Sequence, residues 1–75
     1  MKTVILDNGF RSEDVPTILD EVTRIMEKTN DIAAIDYNIY DEVVEYTEEG
    51  VVYWSINEIV RHSDETIKEV ILKRA

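Results

Sequence analysis

The sequence predicts a small α+β domain in which an antiparallel sheet of two to four strands carries two amphipathic helices on one face. Three observations predict it. Residues 14–29 repeat apolar side chains at helical spacing, residues 32–54 are rich in isoleucine, valine and tyrosine, and a helix-capping pattern at Ser55 opens a second apolar stripe. The predicted order is β-α-β-β-α. With 75 residues, the chain is expected to fold as one domain, residues 1–75.

The first two elements are a short strand and a helix. Residues 3–6 have a β-prone composition, and residues 7–9 read Asp-Asn-Gly, a strong turn signal. Residues 14–29 then carry one apolar stripe: Val15, Ile18, Leu19, Val22, Ile25 and Met26. Ser12 or Asp14 can accept hydrogen bonds from the first free amides of this helix. We therefore expect a strand followed by an amphipathic helix over residues 14–29.

The middle of the chain is predicted to form strands. Apolar and polar residues alternate over 35–40, and residues 43–46 resume a β-like composition. Residues 47–50 suit a hairpin connection, and residues 51–54 then form the returning strand. A helix over residues 32–46 is the competing interpretation, because its isoleucines, valine and tyrosine also lie near helical spacing.

A second helix is predicted to begin at Ile56. Ser55 and Glu58 match the capping box, in which each side chain accepts a hydrogen bond from the other residue's amide. The apolar residues that follow stay near helical phase: Ile56, Ile59, Val60, Ile67, Val70 and Ile71. The pattern allows one helix from 56 to about 73, or two shorter helices separated at residues 63–64.

The negative charge is concentrated in the middle of the sequence. The formal net charge is −9, and no lysine or arginine lies between Lys28 and Arg61. This stretch contains all of the following acids: Asp31, Asp36, Asp41, Glu42, Glu45, Glu48, Glu49 and Glu58. Nucleic-acid binding depends on lysine and arginine near phosphates, so we expect no direct contact with nucleic acid.

Catalytic, metal-binding and membrane-spanning patterns are not found in this sequence. There is no cysteine, and His62 is the only histidine, so a structural zinc site and a catalytic nucleophile–base pair both lack residues. The two glycines, Gly9 and Gly50, are explained as turn residues and form no phosphate-binding loop. No apolar stretch approaches the roughly 20 residues that span a bilayer. We expect a cytoplasmic protein that is not an enzyme and that uses no cofactor or metal.

The function expected from these features is protein binding. The acidic hairpin is interpreted as the docking face for a basic protein partner, as in a small regulator or inhibitor, because charge of one sign selects partners and speeds association. Mimicry of a nucleic acid is the extreme form of this hypothesis. The predicted binding residues are Asp36, Tyr40, Asp41, Glu42, Glu45, Tyr46, Glu48 and Glu49.

Three alternatives are left open at this point. The acids can be a solvated hairpin side that only prevents strand-to-strand aggregation. The chain can be a DNA-binding transcriptional regulator that uses helical residues 55–75, where Lys68, Lys73 and Arg74 lie. Finally, the apolar helix stripes are compatible with a homodimer.

Overall fold

The computed structural model describes residues 1–29 and 34–75, which form five strands and one helix. In chain order these elements are β1 (Lys2–Ile5), α1 (Val15–Thr29), β2 (Ala34–Tyr37), β3 (Glu42–Thr47), β4 (Gly50–Arg61) and β5 (Ile67–Arg74). The strands make one sheet in the order β1-β5-β4-β3-β2, and every neighbouring pair is antiparallel. Strands β1 and β2 are therefore the two edges of the sheet.

The predicted first helix is confirmed. It begins at Val15, one residue after the predicted start, and it ends at Thr29. The Asp14 carboxylate accepts hydrogen bonds from the Thr17 amide at 3.1 Å and the Thr17 hydroxyl at 2.6 Å, which satisfies one of the free donors of the first turn. The buried side of the helix consists of Ile18, Leu19, Val22, Thr23 and Met26.

One side of the sheet, called here the covered face, packs against α1. The helix contacts β1, β2 and β3, so it reaches both edge strands of the sheet. The sheet residues in this core are Val4, Ile35, Val43, Ile67, Val70 and Leu72. The other side is called here the open face, because none of the described elements packs on it as α1 packs on the covered face.

The predicted second helix is wrong, and so is the expected sheet of two to four strands. Residues 50–61 form the long strand β4, and residues 67–74 form β5. A turn at residues 62–66 joins them, closed by a hydrogen bond from the His62 amide to the Thr66 carbonyl at 2.9 Å. The described chain thus has five strands and one helix rather than two helices on a smaller sheet.

Two β-bulges explain why this hairpin resembled a helix in the sequence. Ile56 pairs with Leu72 and Ile59 pairs with Val70, so the extra residue Asn57 is left unpaired between them. An extra residue moves the next inward side chain from position i+2 to i+3, which is a helical spacing. The irregularity at Val60/Arg61 does the same in β5, where Ile67 and Val70 are three residues apart and both fully buried.

The strand interpretation of the middle segment is confirmed for its described part. Residues 34–37 and 42–47 form β2 and β3, and the helical alternative for residues 32–46 is wrong there. Residues 32–33 of that prediction lie outside the described residues. The strand predicted at residues 3–6 is also confirmed, one residue earlier.

Candidate protein-binding surface

The eight residues predicted to bind a partner are distributed over several surfaces. Three of them, Glu42, Glu45 and Tyr46, lie on β3, while Asp36 lies on β2. The remaining four lie in the turns at the two ends of β3, which are about 20 Å apart for a strand of this length. The acids therefore do not form one continuous docking site.

Glu45 has a structural position on the covered face. It is 7% exposed and pairs across the sheet with Ile35 and Val52. Its carboxylate accepts a hydrogen bond from the Trp54 indole N–H at 3.2 Å and lies 3.6 Å from the Lys2 ammonium. Lys2 also lies over the Trp54 ring at 5.4 Å from its centroid. These contacts join β1, β3 and β4.

The turn between β2 and β3 is organised by Asn38. Its side-chain oxygen accepts hydrogen bonds from the amides of Tyr40 and Glu42, both at 3.0 Å, and its amide group donates to the Glu42 carboxylate at 2.9 Å. Asp41 has a φ of 59°, a left-handed conformation that aspartate tolerates. Tyr40 is consequently held at the turn surface with 75% of its area exposed.

Glu48 and Glu49 form the turn at the opposite end of β3. Both are exposed, and the Thr47 hydroxyl donates a hydrogen bond to the Gly50 carbonyl at 2.7 Å beside them. Gly50 has a φ of 135°, which side-chain-bearing residues rarely adopt. These two carboxylates are therefore placed at the end of the sheet.

The open face carries most of the exposed apolar area of the sheet. The cross-strand register assigns to it Thr3, Ile5, Asp36, Glu42, Val44, Tyr46, Val51, Tyr53, Ser55, Glu58, Val60, Glu69, Ile71 and Lys73. Its large exposed side chains are Ile5 at 64%, Tyr46 at 50%, Val51 at 46% and Tyr53 at 43%. Tyr53 lies directly opposite the buried Val44. Aromatic and aliphatic groups thus extend from the edge strand β1 to β3.

The charges on the open face are mostly negative. Four carboxylates, Asp36, Glu42, Glu58 and Glu69, share it with one ammonium group, that of Lys73. Only Asp36, Glu42 and Tyr46 of this face were predicted as binding residues. Ser55, Glu58, Val60, Glu69, Ile71 and Lys73 were missed because residues 55–75 were assigned to helices. The usable signal was the alternation of apolar Trp54 and Ile56 with polar Ser55 and Asn57, which continues beyond the predicted end of the strand.

The perturbed acids lie away from the open face. The Arg24 guanidinium, hydrogen-bonded to Glu21 on α1, lowers the pKa of the Glu21 carboxyl. The Thr66 hydroxyl and then its amide lower the pKa of Asp64 in the turn between β4 and β5. These two shifts come from local hydrogen bonds of the kind that stabilise helices and turns.

Catalysis, metal binding and membrane spanning have little support in the described residues. His62 Nε2 lies 2.6 Å from Asp7 Oδ1, a contact that links the end of β1 to the turn after β4. Across residues 1–29 and 34–75, no three histidine or acidic side chains are placed to hold a metal ion. The helix found in these residues is too short and too polar to cross a membrane.

Comparison with known proteins yields no relative from which a function can be transferred. No protein-family model, no curated protein and no solved structure matches this chain.

Proposed function

We propose that this chain is a non-catalytic interaction domain, a small regulator or inhibitor that binds a basic protein partner through the open face of its sheet. The observation that carries the proposal is that one side of the sheet has no helix over it among the described residues, yet exposes Tyr46, Val51 and Tyr53 side by side on β3 and β4. Exposed apolar patches of this kind on small proteins commonly mark interaction sites.

The composition of the open face supports a protein as the partner. Tyrosine is favoured in binding hot spots, because it supplies a large contact area with few rotatable bonds. Tyr53 on β4 lies directly opposite Val44, and Tyr46 on β3 lies directly opposite Val51. Two carboxylates lie beside this apolar group, since Asp36 pairs with Val44 and Glu42 pairs with Ser55, and a polar border around an apolar centre is usual in interfaces.

The charge of the open face supports a basic partner. Four carboxylates and one ammonium give it the same sign as the whole chain, so lysine and arginine side chains are attracted and acidic proteins are repelled. This modifies the acidic-hairpin hypothesis: the binding acids are Asp36, Glu42, Glu58 and Glu69, and the buried Glu45 serves the fold. The cytoplasm remains the expected location for this cysteine-free chain.

The DNA-binding alternative required helices within residues 55–75. These residues belong to β4, β5 and the turn between them, and Lys73 is the one base on the open face. No other observation favours the DNA-binding alternative.

Two variants with the same loss of charge test the proposal. The open-face variant carries Asp36→Asn, Glu42→Gln, Glu58→Gln and Glu69→Gln. The matched control carries Asp20→Asn and three Glu→Gln changes at the exposed positions 13, 27 and 65, which lie off the open face. Both variants replace one aspartate and three glutamates by amides, so their net charges are equal.

The measurement is affinity capture from lysate, followed by titration of the captured protein, once purified, against all three chains. We expect wild type and control to bind equally and the open-face variant to bind at least about tenfold more weakly, because its rim charges are lost. Tyr53→Ser should weaken binding as well. Equal binding by all three chains, or capture of acidic proteins, would contradict the proposal. Capture of a nucleic-acid-binding protein would favour mimicry.

A further inference from the structure

The loop between β1 and α1 contains the dipeptide Asn8-Gly9. Both residues are exposed, and Gly9 has a φ of 80°, in the left-handed region that glycine adopts without strain. A side chain at Gly9 would meet no atom within 4 Å, so the space around this residue is open. The Gly9 amide has no hydrogen-bond acceptor in residues 1–29 and 34–75. Its nitrogen is therefore accessible as a nucleophile towards the neighbouring Asn8 side chain.

The Asn8 side chain supplies the electrophilic carbon. Its Oδ1 accepts a hydrogen bond from the Phe10 amide at 3.1 Å, the arrangement of an Asx turn. A backbone N–H held at this oxygen stabilises the negative charge that develops on it when Cγ is attacked. The hydrogen bond that orders the turn therefore also favours attack at Asn8 Cγ.

The reaction that joins these two groups is an intramolecular acyl transfer. The Gly9 nitrogen loses its proton to a base in the solvent and bonds to Asn8 Cγ, and the side-chain nitrogen takes up a proton and leaves as ammonia. One water molecule then opens the five-membered succinimide. Cleavage between Cγ and the Gly9 nitrogen gives aspartate, whereas cleavage between the Asn8 backbone carbonyl and that nitrogen gives isoaspartate. In both cases a neutral amide and water become a carboxylate and ammonia.

The isoaspartate product adds one backbone atom at a point where the loop is attached to β5 on both sides. The Asp7 amide donates to the Lys68 carbonyl at 3.1 Å, and the Ile67 amide donates to the Phe10 carbonyl at 2.8 Å. Two residues connect these attachment points, and Asp7 itself has a positive φ of 29°. We expect the extra atom in so short a span to break one of the two hydrogen bonds.

Both products also place a new carboxylate beside existing ones. Asp7 is the preceding residue, and its Oδ1 lies 2.6 Å from His62 Nε2. The pKa of Glu21 is lowered first by Arg24 and also by the Asn8 side-chain amide, which therefore lies next to the Glu21 carboxylate. Aspartate and isoaspartate both lose this donor and add a like charge, but only isoaspartate changes the backbone as well.

The other asparagines of the chain provide an internal comparison. Asn8 is the only asparagine in the sequence that is followed by glycine. A side chain on the following residue hinders the approach of its amide to Cγ, and this applies to the pairs Asn30-Asp31, Asn38-Ile39 and Asn57-Glu58. Asn57 is exposed like Asn8, so exposure alone does not distinguish the two.

We propose that Asn8 is a spontaneous modification site, at which deamidation to isoaspartate weakens the attachment of the loop between β1 and α1 to β5. The reaction uses water and a solvent base and no other reagent. The inference does not depend on the proposed function, since it requires no partner and involves none of the four open-face acids.

Incubation of the purified chain at mildly alkaline pH, followed by peptide mapping, tests the site. We expect the peptide that contains Asn8 to show the mass gain of an amide nitrogen replaced by oxygen, with isoaspartate identified by fragmentation. Asn8→Gln is the matched control, because it keeps the amide but would have to close a six-membered ring. No gain at Asn8, an equal gain at Asn57, or an equal gain at position 8 in the Asn8→Gln chain would overturn the site.

Thermal unfolding of the isolated isoaspartate form tests the effect on the loop. The comparison is with Asn8→Asp, which has the same charge and an ordinary backbone. Loss of one hydrogen bond between the loop and β5 should lower the Tm of the isoaspartate form by about 4–8 °C relative to wild type. Asn8→Asp should lower it by less than half as much. An isoaspartate form as stable as wild type, or an equal decrease in Asn8→Asp, would refute the loss of attachment.

Discussion

The covered and open faces of the same sheet differ in what their side chains do. On the covered face Val43, Val70 and Leu72 are fully buried against α1, whereas on the open face Ile5, Tyr46 and Tyr53 keep 43–64% of their area exposed. Alternation along each strand places both kinds of residue within one residue of each other. The comparison teaches that neighbouring positions in this sequence have different environments: one set is buried against α1 and determines stability, and the other keeps much of its area exposed.

The largest expected effect contrasts a core residue with an open-face residue of similar size. Leu19 on α1 is fully buried, so Leu19→Ala should lower the free energy of unfolding by about 2–5 kcal/mol. Ile5→Ala should change it by less than about 0.5 kcal/mol. Urea unfolding followed by Trp54 fluorescence measures both values. Similar losses for the two variants would mean that the open face is packed in the monomer.

The second prediction separates Glu45 from the other acids of the hairpin. Glu45→Ala leaves the Trp54 indole N–H without its carboxylate acceptor and removes the ion pair with Lys2, at an expected cost of about 1–3 kcal/mol. Glu48→Ala, in the exposed turn, should stay within about 0.5 kcal/mol of wild type. Urea unfolding measures the free energy of unfolding of both variants. Equal stability of the two variants would show that Glu45 does not stabilise the fold.

The smallest expected effect is a pH dependence of stability. It comes from Asp64 in the turn between β4 and β5. The Thr66 hydrogen bonds hold the pKa of Asp64 below its usual value, so its carboxylate form stabilises the folded state. This contribution is complete above the ordinary aspartate pKa of about 4 and is lost as the pH falls through the depressed folded value. Asp64→Ala should therefore lower the thermal midpoint slightly at neutral pH and not in strong acid. A pH-independent difference would assign the effect to packing.

The parts of the fold that could be predicted are those specified by neighbours in sequence. The stripe from Val15 to Met26 and the cap at Asp14 are local features, and α1 appears where they place it. The turn at residues 48–49 is also local, with Gly50 in a conformation that glycine adopts easily. These elements need no information from distant strands.

The hairpin of β4 and β5 could not be predicted in this way. Ser55 and Glu58 match a helix cap, and Ile56 and Ile59 have helical spacing, but each of these residues lies in β4. The unpaired Asn57 is recognised as a bulge only when Leu72 and Val70 are known to lie opposite Ile56 and Ile59. The candidate site changed for the same reason, because Val51, Tyr53, Glu58 and Glu69 share a face only once β4 and β5 are strands.

By itself, the sequence determined the acidic charge, the amphipathic helix that ends at Thr29 and the β-rich middle, because composition and short-range periodicity specify these properties. Only the tertiary structure decided that residues 50–74 are strands, that Glu45 is buried, and that an aromatic, acidic face remains open. The physical reason is that strand pairing, bulges and faces depend on contacts between residues far apart in the chain. Local spacing in this sequence was compatible with both a helix and a bulged hairpin, and the partner strand selected the hairpin.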